Sequence, residues 1–232
     1  MRPAPATGHP GRAVDDLVEE VVHVAGRAYS LLRPRDVDAI VADLVAAGVG
    51  DDARLPFWAA LWPAGAALAE VLARTPLGGR RVLDLGCGLG LAAVVAAAGG
   101  AEVLAVDRCP EAVERTAANA ARNGVRLHAA LGSLDEPGPL AVEGAWDVVL
   151  VGDLLYDQAN VAPLRRLLAR LVGDDAGEVW LADPGRPALG PFLRAVDGDG
   201  WRRERLAAPT PAVGLWRLRS SAAPEAPPPV LA

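Results

Sequence analysis

The chain has 232 residues, 52% hydrophobic and 22% charged, which is long enough for one well-packed domain with additions at its ends. A formal charge of −6 excludes the basic stripe of a nucleic-acid surface, and the longest apolar run, Leu91 to Ala98, falls short of the ~20 residues that span a bilayer. Two cysteines and three histidines without ligand spacing exclude a disulfide framework and give no reason to expect a metal centre.

The first 12 residues, rich in proline and small side chains and without an apolar signal-like core, predict a mobile arm and an intracellular, cytoplasmic protein. All 23 basic residues are arginine, which with abundant Ala, Gly and Pro suggests a GC-rich, bacterial coding source. Residues 13–54 are expected to form a helical extension. Its first part, Val14 to Ala28, fits a helix through Leu17, Val18, Val21, Val22 and Val24, although the run of valines also permits a strand. Asp36 can cap a second helix that places Ile40, Val41, Leu44 and Val45 on one face and ends at Gly48.

A further domain is expected over residues 55–219, followed by a disordered tail over 220–232. It opens with Pro56-Phe57-Trp58-Ala59-Ala60-Leu61-Trp62-Pro63, running into a helix over 64–73. Alternation then begins: strand 81–85, helix 90–98, strand 102–106, helix 110–122, strands 125–130 and 146–151, helix 158–172, strand 178–182, helix 187–197, and late strands near 201–207 and 213–218. Strands that alternate with helices predict an α/β, doubly wound, Rossmann-like fold with a mostly parallel sheet covered on both faces.

The chemistry concentrates after the first strand of this series, in Val82-Leu83-Asp84-Leu85-Gly86-Cys87-Gly88-Leu89-Gly90. A glycine turn lets backbone approach a ligand where a Cβ would clash, and Asp107 follows Gly86 by about 20 positions, the spacing of a carboxylate that grips a ribose. A dinucleotide motif would put a third glycine where Leu91 stands, and a carboxylate at Asp84 would repel a pyrophosphate. The same acid suits a cofactor with an amine and a positive charge, so S-adenosylmethionine is expected. Ligands of open α/β sheets bind beyond the carboxyl ends of the strands, which adds Gly152, Asp153 and Tyr156 after strand 146–151. Asp153 can hold an ammonium and relay its proton, or simply cap a helix; Tyr156 can donate a hydrogen bond or pack. In Asp183-Pro184-Gly185-Arg186-Pro187 the acid and the arginine are expected to pair and brace the loop, with substrate contact as the alternative.

These segments resemble the seven-β-strand protein lysine methyltransferases, specifically those that modify the β subunit of electron-transfer flavoprotein. The resemblance is carried by Pro56-Phe57-Trp58-Ala59 with Trp62-Pro63, by Val82 to Gly88, by Trp146-Asp147-Val148-Val149-Leu150, and by Gly152-Asp153-Leu154-Leu155-Tyr156, Asp183 to Pro187 and Trp216-Arg217-Leu218. The glycine turn is shared by many methyltransferases; the Asp-x-x-Tyr and Asp-Pro-Gly-Arg segments are more specific. It implies a seven-stranded sheet with a final antiparallel pair and S-adenosylmethionine as cofactor. Trp62, Asp84, Gly86, Cys87, Gly88, Asp107 and Gly152 would form the cofactor site, and Asp153 with Tyr156 would be the catalytic pair at the lysine channel. A protein partner, the flavoprotein β subunit, would be the substrate. At the adenine position the chain departs from its relatives with Ala130-Leu131-Gly132-Ser133. Three alternatives remain: a ribosomal protein L11-type methyltransferase, although Gly152-Asp153-Leu154-Leu155-Tyr156 replaces the Asn/Asp-Pro-Pro-Tyr loop common for amide nitrogens, a small-molecule methyltransferase, and a non-catalytic relative that only binds.

Overall fold

The computed structural model describes residues 15–46, 48, 55–136, 138, 146–172 and 177–220; the expected arm and the tail beyond residue 220 lie outside them. Two strands, β1 (Leu17–Val24) and β2 (Arg27–Pro34), precede α1 (Val37–Ala46). A short 3-10 turn (Phe57–Ala59) leads into α2 (Pro63–Leu72), whose first residue is a proline preset for a helix start. The alternating series follows as β3 (Arg81–Leu85), α3 (Leu91–Ala98), β4 (Glu102–Asp107), α4 (Pro110–Arg122), β5 (His128–Leu131) and β6 (Val148–Gly152). It closes with α5 (Val161–Val172), β7 (Glu178–Asp183), α6 (Leu189–Gly198), β8 (Trp201–Leu206) and β9 (Gly214–Ser220).

Seven strands form one sheet in the order β5-β4-β3-β6-β7-β9-β8. Neighbours from β5 to β7 run parallel, and β9 pairs antiparallel with both β7 and β8. The strand order reverses between β3 and β6, and this switch point opens a crevice at their carboxyl ends. Side chains alternate along the central strands. Val82, Ala105, Val148 and Leu150 face α2 and α3, whereas Leu83, Leu85, Val149 and Val151 face α5 and α6.

The start of the extension differs from the expected helix: residues 17–34 form a β-hairpin paired from Leu17↔Pro34 to Val24↔Arg27. Its two-residue turn, Ala25-Gly26, has both residues at positive φ (48° and 83°), the twist-matched turn usually signalled by Asn-Gly. The valine run satisfied either period, and tertiary packing decided it. α3 is apolar on every side and must be covered; Val24, Tyr29 and Leu31 of the hairpin enter the same core cluster as α3.

The amides of Asn119 and Asn123, one turn apart on α4, pair with the free edge of β2 much as a neighbouring strand would. Asn119 Oδ1 accepts from the Leu32 N–H at 2.7 Å and Asn123 Oδ1 from the Ser30 N–H at 2.9 Å, while their NH2 groups donate to the Leu32 and Ser30 carbonyls. Asn119 is fully buried and also donates to the Leu89 carbonyl at 2.9 Å. Asn119→Ala strands the part-buried Leu32 N–H and the buried Leu89 carbonyl, so a loss of about 3 kcal/mol in unfolding free energy is expected, measured by urea titration.

Candidate active site

The crevice at the switch point is a cavity of about 460 Å³, within the range of small-molecule and cofactor sites. Its walls bring together Trp62, Gly86, Gly88, Asp107, Gly152, Asp153 and Tyr156, which lie far apart in the chain. Strand C-termini supply most of them: β3 leads into the glycine turn, β4 ends at Asp107, and β6 ends at Gly152.

The turn is pinned to β4, because the N–H groups of Gly86 and Cys87 both donate to the Val106 carbonyl at 2.8 and 3.1 Å. Gly86 has φ +69°, and a Cβ there would lie 2.5 Å from Leu154 Cδ2. At Gly88, φ +54°, a Cβ would press on the Trp58 carbonyl at 3.3 Å. Asp107 ties the turn to the next loop: Oδ2 accepts from the Gly88 N–H and Oδ1 from the Cys109 N–H, both at 3.0 Å. Burial pushes its carboxyl above the usual range, against the pull of those two bonds. Each oxygen keeps a further acceptor position, as a vicinal ribose diol requires. Fixed backbone, an acceptor pair and a cavity of this size fit S-adenosylmethionine.

Two expected cofactor residues are set back from the wall. Strand alternation turns Asp84 toward α3, where it accepts from the Ala93 N–H and is 4% exposed. There it meets the positive end of the α3 helix. The Cys87 side chain faces Thr116, whose hydroxyl lies 3.4 Å from Sγ, and packs against the core. Burial raises the Cys87 thiol well above its ordinary value and holds Cys109, in the cavity wall, up at about 11, so neither is a reactive thiolate.

Burial and the nearby Asp107 carboxylate push Asp84 from 3.8 to about 7. The folded chain therefore holds a proton that the unfolded chain releases near pH 4. The resulting stability is full below that pH and is lost as pH rises through about 7. The melting temperature is expected to fall between pH 5 and pH 8, and Asp84→Asn to flatten the curve, as measured by calorimetry. A residual slope would come from Asp107 and Asp183, which burial also raises.

The loop after β7 is braced differently from expectation. Asp183 Oδ1 accepts from the backbone N–H groups of Gly185 and Arg186, both at 2.7 Å, so the acid holds the loop through its main chain. The Arg186 guanidinium pairs instead with Asp153, donating from Nε to Oδ1 at 2.8 Å and from Nη2 to Oδ2 at 2.9 Å. Asp153 itself adopts a left-handed backbone, φ +53°, at the start of a 3-10 turn over Leu154–Tyr156. An aromatic wall stands opposite: Phe57 meets Trp62 edge-on at 6.3 Å and Tyr156 at 5.5 Å, and Trp62 Nε1 donates to the Phe57 carbonyl at 2.6 Å.

The departure after β5 reaches the site through Ser133, while Leu134, Asp135 and Asn160 were not singled out in the sequence. Ser133, Leu134 and Asp135 all line the cavity, as does Asn160, which donates to the Leu154 carbonyl at 2.8 Å. Position after a strand end was the available signal for the first three; Asn160 had none. Among the described residues, no group of three or more His, Cys, Asp or Glu side chains is placed to hold a metal.

Residues 82–173 match the methyltransferase domain family. The Thermus thermophilus 16S rRNA N2 G1207 methyltransferase, solved with S-adenosylmethionine and guanosine, shares the fold at a TM-score of 0.62 and 20% identity, over 91% of this chain and 52% of that one. The family match over residues 82–173 and the shared fold together support a class I methyltransferase domain, and S-adenosylmethionine is the cofactor of that class.

Within the class, the electron transfer flavoprotein beta subunit lysine methyltransferase of Danio rerio is 37% identical over 134 residues, 56% of this chain and 51% of that protein. The ribosomal protein L11 methyltransferase of Azotobacter vinelandii is 32% identical over 163 residues, 66% of this chain and 53% of that protein. The chain spans about half the length of the curated relatives it matches.

Proposed function

We propose that this chain transfers a methyl group from S-adenosylmethionine to a lysine side chain of a protein, with the electron-transfer flavoprotein β subunit as its substrate. The observation that carries the reading is the convergence of Asp153 and Tyr156 on the cavity that also contains Asp107 and the glycine turn. Similarity to the flavoprotein-directed enzymes, over 56% of the chain in the zebrafish case, supports the choice of substrate.

Bound in the cavity, the cofactor supplies an electrophilic methyl on a sulfonium centre. The protein's work is binding and alignment. Asp107 would receive the ribose hydroxyls, and Gly86 and Gly88 let the turn hold positive φ while packed against Leu154 and Trp58. Phe57 and Trp62 give one side of the crevice an aromatic wall, which would favour an uncharged amine nucleophile. Asp153 and Tyr156 are the polar groups available to orient that amine for in-line attack, and alignment of this kind supplies much of the rate. A lysine that enters as an ammonium would give up one proton to solvent before attack, and the neutral amine would then be the nucleophile toward the methyl group the cofactor supplies.

The test is incubation with radiolabelled S-adenosylmethionine and, in separate reactions, purified flavoprotein β subunit, ribosomal protein L11, and a mixture of free amines. Label on a lysine of the β subunit, located by mass spectrometry, is expected. Label on L11 alone, or on small molecules alone, would redirect the assignment. The A. vinelandii similarity, which covers 66% of this chain, is the reason L11 is included.

A further inference from the structure

Arg186 fills the place at which Asp153 would receive a cation. One planar fork occupies both carboxylate oxygens of Asp153, through Nε at 2.8 Å and Nη2 at 2.9 Å. The guanidinium carbon also lies 5.8 Å from the centroid of the Trp62 ring, and Trp62 is held by its bond to the Phe57 carbonyl. A carboxylate beside an aromatic face is the composition that receives alkylammonium and guanidinium groups.

The two partners differ in how firmly they are built in. The Asp153 side chain is 6% exposed and belongs to the wall, whereas that of Arg186 is 34% exposed and reaches in from the open side. The Arg186 main chain is anchored separately, by its N–H on Asp183. The guanidinium can therefore leave while the loop keeps its shape.

We propose that Asp153 and Trp62 form a cation box for the substrate side chain, and that Arg186 is its resident occupant, a latch that an incoming lysine displaces. The identity of the incoming side chain rests on the lysine methyltransferase reading; the box and its occupant do not. Exchange of one cation for another leaves Asp153 compensated throughout. A neutral or acidic side chain would leave a buried carboxylate unpaired, so the latch selects for positive charge. It also weakens apparent substrate affinity by the fraction of time the box is filled.

The experiment uses n-butylammonium, which has the lysine side chain's length and head group, and ethylguanidinium, with binding followed by calorimetry. It compares the parent chain, Arg186→Ala, and Arg186→Gln as a second variant should the first fail to fold. S-adenosylmethionine titrations and melting curves report folding and the methyltransferase reading separately. The Arg186→Ala protein is expected to bind both cations at least roughly tenfold more tightly than the parent. Adding Asp153→Asn to it is expected to abolish that gain. Equal binding by parent and variant overturns the latch. Binding of neither cation overturns the box, and binding of ethylguanidinium alone overturns the lysine assignment. Cation binding without S-adenosylmethionine binding leaves the box standing and sinks the methyltransferase reading.

Discussion

Asp107→Ala is expected to weaken S-adenosylmethionine binding by roughly a hundredfold or more, read by calorimetry. The side chain has two tasks. It would accept the ribose hydroxyls, and it already ties Gly88 to Cys109 through two backbone bonds at 3.0 Å. A hydrogen bond to a charged group contributes about 1.5–3 kcal/mol, so loss of the ribose contacts alone accounts for about 3 kcal/mol. Release of the Gly88 N–H loosens the turn as well, adding to the loss. Stability is expected to change less than affinity, because alanine also removes a buried carboxylate that burial disfavours. Affinity equal to that of the parent would remove Asp107 from the cofactor site.

The second large effect is expected at Asp153. Asparagine is the informative replacement: it tolerates the left-handed backbone at φ +53° at less cost than alanine, so the turn is preserved while the charge is lost. Methyl transfer to the proposed substrate, the flavoprotein β subunit, is expected to fall about a hundredfold or more, a loss of about 3 kcal/mol of transition-state stabilisation. Cofactor affinity is expected to stay within about threefold of the parent, because the ribose and turn contacts lie on other strands. The two measurements together separate a substrate role from a cofactor role. Unchanged turnover would remove Asp153 from the reaction, and a matching loss of cofactor affinity would move it to the cofactor site.

Much of the α/β domain was legible because its signals are local. The buried parallel strands read as short apolar runs bounded by glycine or an acid, and the helices between them carry starts and stops of their own, such as Pro110 in α4 and Gly99 after α3. The hairpin was not legible. Leu17 to Val24 satisfies two periods, the Ala25-Gly26 turn lacks the usual asparagine, and the groups that hold β2, Asn119 and Asn123, lie 87 and 93 positions away in the chain. Strand ends pointed to Asp107 and Asp153 as site residues. Burial of the Asp84 carboxylate beside α3 depended on which face of β3 the helix covers.

Arg186 shows the same division at the scale of one side chain. By sequence its natural partner is Asp183, three residues earlier in a stiff loop. One oxygen of that carboxylate accepts from two backbone N–H groups, and the guanidinium reaches Asp153 on a different strand. What the sequence by itself determined is the class of fold, the glycine turn and the acids at the strand ends, because those depend on local backbone conformation and on alternation along a strand. Which charges meet across the crevice, which face of Asp84 is covered and what shields α3 were decided only by tertiary structure. Such contacts follow from which groups remain unsatisfied once the elements pack, and spacing along the chain does not record that.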